Sequence, residues 1–331
     1  MDLSIVTTLY RSAGFVREFY ERASAAAASL TTSYEIVFVN DGSPDESLDR
    51  AVEVYRDDPR VRIIDLSRNF GHHKAILTGL QHARGDLVFL LDSDLEEDPA
   101  WLPEFHRMLV ASGADVVYGV QKRRKGDWFE RVTGELAYSV FDALLEESIP
   151  RNVVTARLMT RRYVAQLVRH RDREVCLVGL WATTGFKQVG VAVDKLSRAG
   201  HSYSNRQRVG ALVNAVTSFS KRPLVYIFYI GCVLMLLSGA AGVFLVERAL
   251  FHGISVPGYV SLIVSVWFLG GVTIFCLGVI GIYLSKIFME TKDRPYTIIR
   301  AEYSHQVDDL TLPVGQGQSS HHSATPRPVR P

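Results

Sequence analysis

Residues 87–94 read Leu87-Val88-Phe89-Leu90-Leu91-Asp92-Ser93-Asp94, an apolar run that stops on two carboxylates one residue apart. A run this short suits a buried strand better than a helix. Two carboxylates at a strand's end can hold a hard divalent cation at a shared vertex. Mg²⁺ and Mn²⁺ favour such oxygen ligands, usually completed by substrate phosphates. Alone, the pattern also describes an ordinary solvated turn, so the surrounding chain has to decide between the two.

Working outward, Leu3–Thr8, Glu35–Val39, Val61–Leu66 and Val116–Val120 are further short β-rich apolar runs. Helical spacing over 13–29, 45–57, 72–83 and 99–112 separates them. Strand and helix in alternation predict a parallel sheet covered on both faces. Such sheets bind ligands in the crevice at the carboxyl ends of their strands. The strand ends here are polar throughout: Thr7-Thr8-Leu9-Tyr10, Asn40-Asp41-Gly42-Ser43, Ser67-Arg68-Asn69-Phe70-Gly71, Asp92-Ser93-Asp94, and Gly119 followed by Gln121-Lys122-Arg123-Arg124.

Beyond this unit, 126–148 has the spacing of an amphipathic helix. Arg157–Thr160 and Val189–Val193 read as strands around a loop at Gly179-Leu180-Trp181. Over 206–221, Val209, Leu212, Val213, Val216 and Phe219 form one apolar stripe, which predicts an interfacial helix. Two stretches, 224–246 and 253–285, contain no Asp, Glu, Lys or Arg. Each exceeds the ~20 residues that a membrane-crossing helix requires. Lys and Arg are frequent on both flanks, while the connecting loop has only Arg248. By the positive-inside rule both ends then face the cytosol. From about Ser304 the chain is rich in Gln, Ser, His and Pro, the composition of a disordered tail.

The 331 residues are 47% hydrophobic and 22% charged, with a net charge of +2, which gives no reason to expect a nucleic-acid partner. Cys176, Cys232 and Cys276 are too scattered for a zinc site or a disulfide framework. The first residues show no basic region or cleavage site of a targeting signal.

The order of these motifs resembles glycosyltransferase family 2. Asp2–Tyr10, Val39–Ser43, Arg68–Gly71 and Asp92–Leu95 follow one another as they do there, and Tyr118–Val120, Arg157–Met159, Gly179–Trp181 and Gly185-Phe186 extend the likeness. Arg198–Ser204, Ser218–Ser220 and Pro223-Leu224 resemble the polyprenyl-phosphate branch, which includes dolichyl-phosphate mannose synthases and the bacterial enzymes charging undecaprenyl phosphate. The resemblance covers roughly residues 2–300. It implies an α/β, GT-A (Rossmann-like) domain over 1–205, the interfacial helix over 206–222 and a transmembrane hairpin over 223–285, with spans at about 224–246 and 260–284. A cytosolic juxtamembrane segment over 286–303 and the tail over 304–331 complete the expected organisation.

The resemblance further implies a metal-dependent, inverting enzyme that moves a sugar from a nucleotide-sugar to polyprenyl phosphate on the cytosolic leaflet of the plasma or inner membrane, for cell-envelope glycan. Thr8 and Tyr10 would line the nucleoside pocket, and Asp41 would accept a hydrogen bond from the base. Asn69, His73 and Lys74 would touch the donor. Asp92 and Asp94 would hold Mg²⁺ or Mn²⁺ against the diphosphate, whose growing charge the cation stabilises. Arg157, Arg123 and Arg198, with Ser202 and Tyr203, would meet the lipid phosphate, which favours guanidinium groups. A homo-oligomer is left open.

The sequence departs from the family at three strand ends. Thr8-Leu9-Tyr10-Arg11-Ser12 replaces Pro-x-Tyr-Asn-Glu, Gln121 stands for an arginine, and Thr155 occupies the acid position of Asp-Phe-Arg-Leu. A phosphomonoester with a second pKa near ~6 is already an anionic nucleophile at neutral pH, so the missing acid favours a phosphate over a hydroxyl acceptor. Transfer to a hydroxyl of a lipid-linked saccharide and a non-catalytic scaffold on a degenerate transferase fold are the alternatives. Two spans are few for a polymer channel. Without intramembrane charge they also offer no transport pathway.

Overall fold

β1 (Leu3–Leu9), β2 (Tyr34–Asn40) and β3 (Val61–Leu66) are buried at every position. Their residues are mostly apolar, as strands covered on both faces require, and the polar ones among them, such as Ser4, Glu35, Arg62 and Asp65, are buried with polar partners. In the computed structural model, which describes residues 1–121, 152–170, 177–195, 222–252, 258–292 and 294–305, these strands form the centre of one sheet. The order is β7-β5-β6-β4-β1-β2-β3-β8, with β4 at Leu87–Leu90, β5 at Val116–Gln121, β6 at Val153–Thr160, β7 at Gln188–Val193 and β8 at Ile299–Tyr303.

Alternate residues of each strand feed two apolar layers. Leu3, Ile5, Leu9, Ile36, Phe38 and Ile63 meet α1 (Val16–Ala28), α2 (Ser47–Asp57) and α4 (Leu102–Ser112). Val6, Val37, Val39, Ile64 and Leu66 meet α3 (His72–His82), α5 (Arg161–Leu167) and α6 (Leu177–Thr183) on the other face. α1 shows why these segments are helical. Val16, Phe19, Ala23, Ala26 and Ala27 recur at helical spacing and turn inward, and four consecutive alanines add strong helix formers.

The expected all-parallel sheet is corrected to a mixed one. β1 to β4 are parallel, but β6 runs antiparallel to both β4 and β5, and β8 runs antiparallel to β3. Strand direction depends on where a connection returns, which local hydrophobicity does not record. β6 consequently presents its first residues at the edge where β1 to β4 present their last. The stretch Gly179-Leu180-Trp181, expected as a loop, lies inside α6. Within 286–303, expected as a juxtamembrane segment, a helix continues to Thr291 and β8 takes the last residues.

Of two long helices, α7 (Arg222–His252) contains the charge-free stretch 224–246 and α8 (Tyr259–Thr291) contains 259–285 of the second. At 1.5 Å per residue each exceeds about 45 Å, more than a ~30 Å hydrocarbon core. Among the described residues, one helical segment, Ser265–Thr291, is long and apolar enough to cross a membrane by length and composition. The expected helices over 126–148 and 206–221 lie outside the described residues.

Candidate functional site

The loop that follows β4 is held down before it turns. Ser93 Oγ donates to the Thr8 carbonyl at 2.8 Å and lies 3.0 Å from Ser12 Oγ, which ties the loop to the end of β1. Leu95 then takes a left-handed backbone conformation, φ +60°, while its side chain is buried in the core. A non-glycine residue in this region carries strain, and here the buried leucine side chain anchors the turn. Asp94 Oδ1 accepts from the Glu96 N–H at 2.9 Å inside that turn.

Around this loop the sheet edge gathers charge. Asp92 Oδ1 lies 3.3 Å from His72 Nε2, and His72 Nδ1 lies 3.1 Å from Thr8 Oγ1. The imidazole therefore bridges the end of β1 and the acidic loop. Glu97 is fully buried, and its carboxylate accepts from the Thr155 N–H at 2.8 Å and the Asp92 N–H at 3.4 Å. Lys195, just past β7, pairs with Glu96 at 3.0 Å. Asp92, Asp94, Glu96 and Glu97 thus crowd one corner with one imidazole and one ammonium.

The ionisation of these groups follows from that crowding. Burial opposes the charge of Asp92, but His72, Thr155 and Lys195 more than offset it and hold its carboxyl below the usual range. Burial raises Asp94, and the charges of Asp92 and Glu96 add to the effect. Glu97 is pushed up to about 8, chiefly by burial and then by the charge of Asp92. His72 is raised despite burial, because Asp92, Asp41 and Asp94 favour the imidazolium.

The residues fit a divalent cation. Asp92 Oδ1 is enclosed, with His72 Nε2 at 3.3 Å as its neighbour and no hydrogen bond of good geometry, and the crowding that raises Asp94 and Glu97 is what a cation would relieve. Among the described residues no group of three or more His, Cys, Asp or Glu is arranged to hold a metal by itself. A cation at Asp92 and Asp94 would take its remaining oxygens from phosphate and water.

At the end of β2, Asp41 is 2% exposed. Its Oδ1 accepts from the Phe70 N–H at 2.7 Å and its Oδ2 from the Gly71 N–H at 3.1 Å, which joins the ends of β2 and β3. Burial raises its pKa, partly countered by these two N–H groups. Gly42 follows at φ +59°, packed against the backbone of Arg68 and Asn69. Tyr10 and Asn69 are exposed at the rim.

Other expected residues are placed elsewhere. Lys74 turns to the ring of Tyr296, 5.6 Å from its centroid. Arg157 is 1% exposed, lies over the Trp181 ring and donates to the Thr155 and Val154 carbonyls. In this arrangement the guanidinium expected to meet the lipid phosphate is enclosed by protein. β6 turns it, with Met159, into the layer against α6. Arg123, Arg198, Ser202 and Tyr203 lie outside the described residues.

Sequence reasoning missed His72, Glu97 and Lys195. It selected the neighbour His73, although His72 opens α3 directly after Gly71. Lys195 follows an apolar run as the other site residues do, so the strand-end rule applied to Val189–Val193 would have found it. Nothing local separates Glu97 from Glu96 or Asp98.

A mixed sheet covered by helices, with an Asp-x-Asp pair beside a crevice at its strand ends, is a GT-A-like transferase domain. Residues 4–168 match the family described as Glycosyl transferase family 2. A protein of Mycobacterium tuberculosis (strain CDC 1551 / Oshkosh) described as "Putative glycosyltransferases" is 52% identical over 94% of this chain and 90% of its own length. The bactoprenol glucosyl transferase of Shigella phage SfV is 34% identical over 91% of this chain and 99% of its own. Among solved structures, S. aureus TarS 1-349 in complex with UDP-GlcNAc covers 66% of each chain with a TM-score of 0.45 at 16% identity. The chain belongs to glycosyltransferase family 2 and is a glycosyltransferase.

Proposed function

We propose that this enzyme transfers a sugar from a nucleotide-sugar to polyprenyl phosphate at the cytosolic face of a membrane, with inversion at the anomeric carbon. The observation that carries the donor half is the meeting of Thr8, Asp41, Asp92 and Asp94 around His72 at the strand ends. The acceptor half is supported by the similarity to a bactoprenol glucosyl transferase over nearly the whole chain.

In this reading Tyr10 and Asp41 receive the nucleoside, and Asp92 and Asp94 hold Mg²⁺ or Mn²⁺. That cation would neutralise the charge gathering on the departing diphosphate. His72 and Lys195 keep the carboxylates oriented. The lipid phosphate oxygen attacks the anomeric carbon from the face opposite the diphosphate. Thr155 is consistent with this acceptor. The position holds no acid, and its hydroxyl favours the ionised form of Asp92 rather than taking a proton from a nucleophile. Arg123, Arg198, Ser202 and Tyr203 are assigned to the acceptor on their sequence pattern. α7 and α8 are assigned to a membrane hairpin.

Asp92→Asn and Asp94→Asn should each lower transfer at least about a hundredfold, the scale of losing a main electrostatic contributor, while the protein keeps its fold. Chelation should abolish activity, and Mg²⁺ or Mn²⁺ should restore it. Thin-layer analysis of the product should give an acid-labile lipid carrying one sugar. A lengthened glycolipid would refute the phosphate acceptor, and full activity after exhaustive chelation would refute the metal.

A further inference from the structure

The chain that leaves α8 comes back to the sheet edge nearest the nucleotide loop. β8 pairs antiparallel with β3, with Ala301 opposite Asp65 and Ile299 opposite Leu66. Arg300 is therefore an extra residue in a bulge, a device that re-aims a side chain. Its guanidinium Nε lies 2.7 Å from Asp65 Oδ2 and its Nη2 3.0 Å from Oδ1. Asp65 is 2% exposed, so Arg300 caps a carboxylate otherwise sealed in the sheet.

Asp65 does not end the connection. Its Oδ1 also accepts from Asn40 Nδ2 at 2.8 Å, and Asn40 Oδ1 accepts from the Ser43 N–H at 3.3 Å. Ser43 Oγ in turn accepts from the Arg11 N–H at 2.7 Å. An unbroken line of polar contacts thus runs from β8, through β3 and β2, to the loop at 41–43 and the residues after β1. Its last link ends on Ser43 and Arg11, two residues after Asp41 and one after Tyr10, the proposed nucleoside contacts.

We propose that Arg300 is a positioning residue for the nucleotide pocket, acting through Asp65 and Asn40 although it lies beyond the second long helix. This rests on the donor reading above. Asn40 must direct its amide nitrogen at Asp65 to leave its oxygen for Ser43. Asp65 can be that acceptor while Arg300 compensates its charge. Without Arg300 the buried carboxylate has lost its charged partner and competes for new donors, and the loop at 41–43 loses a fixed register. By linkage, nucleotide binding then favours docking of β8 as much as docked β8 favours the nucleotide.

The test uses the full chain in lipid nanodiscs. UDP, GDP, CDP, ADP and dTDP are titrated by calorimetry with Mg²⁺, and the tightest is carried forward. Arg300→Ala should weaken it about tenfold, or 1.4 kcal/mol, and Arg300→Lys should recover part of the loss. The donor KM should rise with the lipid-phosphate KM unchanged. Glu302→Gln is the comparison, because Glu302 ties β8 to Arg62 at 2.6 Å but stands outside the line to Ser43. It should leave nucleotide affinity within twofold even if it lowers the melting temperature. Equal losses in Arg300→Ala and Glu302→Gln would reduce β8 to a general strap and overturn the proposal. Should Arg300→Ala fail to fold, Arg300→Lys against Glu302→Gln decides in the same way. Asp41→Asn tests the pocket separately. If it weakens the nucleotide while the Arg300 variants bind normally, only this inference fails. If Asp41→Asn has no effect, or no nucleotide binds the wild type, the donor reading fails and takes this one with it.

Discussion

Asp45 shows how single side chains shape the nucleotide side of the crevice without touching its floor. Its Oδ1 accepts from the Ser47 N–H at 3.1 Å, and its Oδ2 from the Ala13 N–H at 3.1 Å. The hydroxyls of Ser43 and Ser47 also donate to Oδ1, each at 2.5 Å. This carboxylate therefore fixes the turn that leads into α2 and fastens the turn after β1 to the loop after β2. Its modest burial acts against ionisation, but the two hydroxyls and two N–H groups prevail, and its pKa falls to about 2. The folded value lies below the unfolded one, so ionised Asp45 adds stability above the unfolded value. That contribution fades as pH falls through the folded value. Asp45→Asn should accordingly cost about 1 kcal/mol at neutral pH, the usual net worth of an intramolecular hydrogen bond. The gap between the two melting curves should close between about pH 4 and pH 2. A gap that stays constant across this range would show that the charge is irrelevant.

At the scale of elements, the site depends on how closely neighbouring strand ends approach. β2 and β3 end against each other through Asp41, and Gly42 is the hinge that permits it. Its φ of +59° is a left-handed value, and a Cβ there would run into the backbone of Arg68 and Asn69. Gly42→Ala combines backbone strain with overpacking against atoms that cannot rotate away, so it should cost roughly 2–4 kcal/mol of stability. Denaturant titration measures this directly, and a loss below about 0.5 kcal/mol, the range of an ordinary surface change, would contradict it. β6 contributes in another way. Because it runs against β4, Thr155 arrives beside Asp92 and Glu97 at the sheet edge, while Arg157, two residues on and on the same face of the strand, is already enclosed over Trp181. Two residues of one strand thereby take unrelated jobs.

For the whole molecule, the proposed attachment to a membrane places both ends of the hairpin on one side. Reporter fusions at the N-terminus and after residue 305 should then report the cytosolic side, and a tag beside His252 the opposite side. Extraction by alkaline carbonate would rule out spanning helices. The sheet itself argues that the two ends stay together. β8, which follows α8, is joined to β3 by Arg300–Asp65 and by Glu302–Arg62, and Arg62 also pairs with the buried Glu35 at 3.0 Å. Tyr303 and His305 extend this contact onto Tyr55 of α2. The final strand thus covers an edge of the sheet that would otherwise present unpaired backbone groups.

Much of this could be read from residues alone. Continuous apolar runs identified the central strands, because burial on both faces removes the need for alternation. Polar residues after each run marked the sheet edge at which Thr8, Asp41, Asp92 and Asp94 gather around His72. The two charge-free stretches likewise marked the long helices. What only the tertiary structure decided were properties of return paths and of inward or outward choice. The direction of β6 and β8 is set by where distant segments come back, so neither the mixed sheet nor the Arg300–Asp65 link has a local signature. Arg157 carries the charge of a phosphate ligand, and only the packing of β6 against α6 shows that it is enclosed. Glu97 is one acid among several in its loop, and it becomes the buried one because the left-handed turn at Leu95 aims it beneath Asp92. Hydrophobic pattern acts between neighbours along the chain and is therefore written in sequence. Side-chain direction at a strand end depends on what the rest of the sheet brings alongside it.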